Sequence, residues 1–110
     1  MRNIKIIFVI PIMSLIETIQ DLSTIPRHED DEYEYTSDFL EWFYYNIYRE
    51  QIDNYTILQG FEMEPEYEYM LSQCQTLIDI NNAKNFNDET LVNIYNNMKQ
   101  WTIDNIKKYV

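Results

Sequence analysis

This sequence predicts an all-α fold, a compact bundle of about four helices preceded by a short apolar strand or arm, and three observations lead there. A single glycine, Gly60, among 110 residues leaves few of the positive-φ positions that tight hairpins need. Apolar residues in the second half of the chain recur at spacings of three and four, which places them on one side of a helix. Helix starts are marked by Ser, Thr, Asn or Asp ahead of these runs, and by proline at position 65.

The elements follow in order. The arm, residues 1–12, has a basic edge at Arg2 and Lys5 and an apolar run from Ile6 to Ile10. It imitates a signal peptide, but Pro11 interrupts it and no small-x-small cleavage site follows. The run also falls far below the ~18–20 apolar residues of a membrane span. A buried strand, or an extension upstream of a start at Met13, fits better, and the domain proper is expected over 13–110. Ser14-Leu15-Ile16-Glu17 has the form of a capping box and predicts a helix over 14–24, with Leu15, Ile16, Ile19 and Leu22 inward and Pro26 ending it. From Arg27 to Tyr35 the chain has no periodicity and reads as an acidic loop.

Thr36-Ser37-Asp38 supplies caps for a helix over 37–54. Phe39, Phe43 and Ile47 share one of its faces and Trp42 and Tyr45 another, so it is either central to the bundle or presents aromatics to a partner. Gly60 reads as a break. Glu64-Pro65 then opens a helix over 65–81, in which Tyr67, Met70, Leu71, Cys74, Leu77 and Ile78 form the cleanest stripe in the chain. Asn87-Asp88-Glu89 starts the last helix, 88–108, lined by Leu91, Ile94, Tyr95, Met98, Thr102, Ile106 and Tyr109. Lys107 and Lys108 suit its C-terminal dipole. Met63, Met70 and Met98 are expected to fill the core.

A chain of this length makes one domain. Its 45% hydrophobic and 15% aromatic content is too rich for a disordered acidic tail. A net charge of −11 and a pI near 4.2 exclude direct binding to nucleic acid or anionic lipid, which needs clustered Lys and Arg. Cys74, the only cysteine, cannot form an internal disulfide, and a reducing cytoplasm is the expected compartment.

The charge is concentrated. Thirteen of the 19 acids lie between positions 29 and 68, opposed by Arg49 alone, whereas the other 70 residues carry six acids and seven bases. Two clusters stand out: Glu29, Asp30, Asp31, Glu32 and Glu34, and then Glu62, Glu64, Glu66 and Glu68. They flank the aromatic helix. Were a bundle to bring them together, their carboxylates would lie ~5–7 Å apart, close to the phosphate spacing of a nucleic-acid strand. Solvation and capping would explain a short charge run, but a density this high costs stability by self-repulsion and implies an offsetting use.

Catalytic and metal chemistry finds little footing, and neither an enzyme nor a cofactor is expected. His28-Glu29-Asp30-Asp31-Glu32 begins like the H-E-x-x-H zinc signature but has Glu where the second His is required. The carboxylates of 29–34 suit calcium as a hard cation, yet the central glycine of an EF-hand loop is missing. Cys74 falls inside an apolar stripe, where a thiol acts as a small hydrophobe rather than a nucleophile.

In size, charge and aromatic content the chain resembles the small acidic anti-restriction and anti-CRISPR proteins of phages and mobile elements. Its 11 Asn, 16 Ile and 10 Tyr point the same way, through A+T-rich coding. The expected function is a non-enzymatic inhibitor that mimics DNA and binds a basic nucleic-acid-processing protein or nuclease. The partner surface would comprise Glu29, Asp30, Asp31, Glu32, Glu34, Asp38, Glu41, Glu62, Glu64, Glu66 and Glu68, with Trp42 and Tyr45 as aromatic anchors. An immunity protein or antitoxin against a cationic nuclease shares this physics. A helical adaptor or viral regulatory module holding an amphipathic helix in an apolar groove is the alternative from another class. No membrane partner is expected, and a homodimer remains compatible with the composition.

Overall fold

In the computed structural model, which describes residues 12–26, 36–83 and 88–109, every regular element is helical and no strand occurs among the described residues. Among the described residues there are five α-helices, where the periodicity predicts about four: α1 (Ile12–Asp21), α2 (Asp38–Phe43), α3 (Tyr55–Met63), α4 (Tyr67–Ala83) and α5 (Asp88–Ile106). A π-helical turn, Tyr44–Tyr48, prolongs α2, and a 3₁₀ turn, Lys107–Tyr109, follows α5. The N-terminal strand or arm, apart from Ile12, and the acidic loop of 27–35 lie outside the described residues.

Helix α1 begins at Ile12, two residues before the expected cap, so Ile12 belongs to the helix and not to an arm. Ser14 is therefore an interior residue, and its carbonyl oxygen accepts the Thr18 hydroxyl at 2.9 Å. The helix stops at Asp21, well before Pro26. A distant side chain caps its end. Lys99 of α5 donates from Nζ to the carbonyl oxygens of Gln20 at 2.9 Å and Leu22 at 2.7 Å, satisfying acceptors that a helix end leaves bare.

Ser37 caps α2 as its sequence predicts, accepting the Leu40 N–H at 3.0 Å. The expected helix over 37–54 nevertheless ends at Tyr48. Its last turn is wide, with the Arg49 N–H bonded to the Tyr44 carbonyl five residues back at 2.8 Å. Glu50 then takes φ 56°, the left-handed region that turns the chain away. Asn54 caps α3 by accepting the Ile57 N–H at 3.1 Å.

Gly60 lies inside α3, so the expected break at this position is corrected. Ile57, Leu58 and Phe61 bury one side of that helix. The missing side chain leaves room for a close approach by Tyr109: a Cβ at position 60 would stand 1.2 Å from its hydroxyl oxygen, so a larger residue would require the phenol to move.

The α4 stripe is buried as predicted at Tyr67, Met70, Cys74, Leu77 and Ile78, with Leu71 partly buried against the same core. Helix α5 packs against each of α1, α2, α3 and α4. Besides the predicted Leu91, Tyr95, Met98, Thr102 and Ile106, it therefore buries Trp101, Ile103 and Asn105. Trp101 tilts against Phe61 of α3 with ring centroids 5.2 Å apart. Phe39, Phe43 and Ile47 are fully buried. Met63 is not core filling: it is 83% exposed at the end of α3.

Candidate acidic interface

The second acidic cluster wraps the junction between α3 and α4. Glu62 lies in the last turn of α3, Glu64 ends that helix, and Glu66 and Glu68 stand at the start of α4. Glu62, Glu66 and Glu68 are exposed, whereas Glu64 is half-buried. The first cluster, Glu29, Asp30, Asp31, Glu32 and Glu34, falls outside the described residues together with His28.

A member the sequence did not single out completes the surface. Glu50, held in its left-handed conformation at the exit of the π turn, brings its carboxyl to that of Glu62. A hydrogen bond between the two carboxyl groups is the main reason that Glu62 binds its proton above the usual carboxylate range, with desolvation and the charge of Glu50 adding to it. The same crowding reaches the largely buried phenol of Tyr67. Burial first, and then the charges of Glu50, Glu62 and Glu68, push its pKa up to about 12. Three acids from a turn, α3 and α4 thus act on one side chain. No periodicity would place Glu50 there, because its position depends on the reversal at residue 50.

Glu64 is drawn out of this set, since its Oε1 accepts Lys108 Nζ at 2.7 Å in an ion pair. The sequence predicts that Lys108 serves the end of its own helix; in the 3₁₀ turn it reaches Glu64 instead.

The aromatic members divide. Trp42 is half-buried and stacks on Phe39, with centroids 6.4 Å apart and planes at 22°. Tyr45 is exposed and meets Tyr44 edge-on at 5.2 Å. Tyr44 also stacks on Tyr48 at 5.3 Å, and the Arg49 guanidinium lies 5.9 Å from the Tyr44 ring centroid. Tyr48 donates its hydroxyl to Gln75 Oε1 at 2.7 Å, which fixes this ladder against α4. On α2, Glu41 is exposed and Asp38 is half-buried in the first turn.

Among the described residues, no three His, Cys, Asp or Glu side chains are placed to hold a metal ion. Cys74 is fully buried, and desolvation pushes its thiol up to about 12, so it remains protonated and unreactive at neutral pH. No helix among the described residues is long and apolar enough to cross a membrane.

Fold and surface together define an all-helical bundle with carboxylates crowded over the junction of two helices. The chain matches no protein-family model, and comparison with curated proteins and with solved structures finds no match.

Proposed function

We propose that this protein is a non-enzymatic inhibitor that binds a basic nucleic-acid-processing protein through its carboxylates, in the manner of a DNA mimic. The observation that carries this reading is the set of exposed carboxylates Glu62, Glu66 and Glu68 over the α3–α4 junction, with Glu50 raising the proton affinity of Glu62. Exposed carboxylates normally separate to lower their repulsion, yet here several exposed acids are gathered over one helix junction. An arrangement that opposes stability locally is offset when a cationic partner closes on it, and concentrated negative charge speeds that encounter at low ionic strength. Glu66 and Glu68 extend the exposed acidic set, and on α2 and its π turn Glu41 and Tyr45 are exposed and Trp42 half-buried, an acid and ring area that a partner reaching that face would meet.

The test is capture from a lysate of the source or its host. Tagged native protein is compared with a Glu62→Lys/Glu66→Lys/Glu68→Lys variant whose helicity by circular dichroism is unchanged. The expected result is a nucleic-acid-binding protein held by the native form, released at moderate salt and by added duplex DNA, and lost with the variant. A partner that survives high salt and binds both forms equally overturns the proposal and favours recognition of an apolar helix face.

A further inference from the structure

We draw no further inference here: the strongest candidate, the uncharged outer face of α4 where Tyr69, Ser72, Gln75 and Thr76 are exposed between Glu68 and Asp79 and Tyr48 bonds to Gln75 beside them, is an unpartnered helix face, and nothing in the structure shows what covers it.

Discussion

Lys99 and Leu22 lie 77 positions apart, yet the lysine Nζ donates to the leucine carbonyl oxygen at 2.7 Å and closes the end of the first helix. Burial lowers the pKa of Lys99, and the charge of Asp21 partly restores it. Lys99→Met keeps the aliphatic stem but leaves the carbonyls of Gln20 and Leu22 without this donor. We expect a loss of about 1–3 kcal/mol in urea unfolding, the scale of hydrogen bonds from a charged group. A loss below about 0.5 kcal/mol would show that water replaces the lysine without cost.

Stability should rise on mild acidification, because the proton on Glu62 is bound more tightly in the folded chain than in the unfolded one. A raised carboxyl contributes stability that is complete below its ordinary value of 4.5 and is lost as pH rises through the higher folded value. Between pH 7 and pH 4.5, Tm followed by circular dichroism should therefore climb more in the native protein than in Glu62→Gln. The variant should be the more stable of the two at pH 7. Parallel pH profiles would mean that the two carboxyl groups do not interact in solution.

Glu50→Gly should stabilise the protein. The left-handed conformation at φ 56° costs a residue with a Cβ about 1–2 kcal/mol, whereas the greater unfolded-state freedom of glycine takes back about 0.5–1 kcal/mol. A gain of about 0.5–1 kcal/mol in urea unfolding is expected, with the pH dependence of Glu62 reduced at the same time. Glu50→Ala removes the carboxylate but keeps the backbone strain, so it should lack the strain-relief part of the gain.

Two leucines on α4 separate full from partial burial. Leu77 is 1% exposed in the core, and Leu77→Ala should cost about 2–5 kcal/mol. Leu71, one of the partly buried residues packed against that core, should cost distinctly less on the same substitution. Equal losses would place Leu71 deeper than the structure does.

The elements that were legible in the sequence are those whose packing is one-sided. Along α4, spacings of three and four named the buried set from Tyr67 to Ile78 because one face of that helix meets the core. Ser37 could be read as a cap for a similar reason, since its bond to Leu40 spans only three residues. Helix α5 was legible only in part. Other helices surround it, so Trp101 and Ile103 are buried off the predicted stripe. Of the candidate site, the composition revealed the excess of acid between 29 and 68 and named Glu62, Glu66 and Glu68, but neither Glu50 nor the withdrawal of Glu64 by Lys108.

What the sequence alone determined is the all-helical class, the α4 core and the sign and location of the charge, since each depends on composition or on residues within a turn or two of one another. Tertiary structure decided the rest. Gly60 reads as a break until Tyr109, 49 positions later, comes to rest where its Cβ would be, and then it is a helical residue whose missing side chain the Tyr109 phenol fills. Lys99 marks the end of a helix it does not belong to. Glu50 joins Glu62 through a reversal that local propensity disfavours. These are contacts between segments distant in the chain, and their energies appear only once the helices are packed.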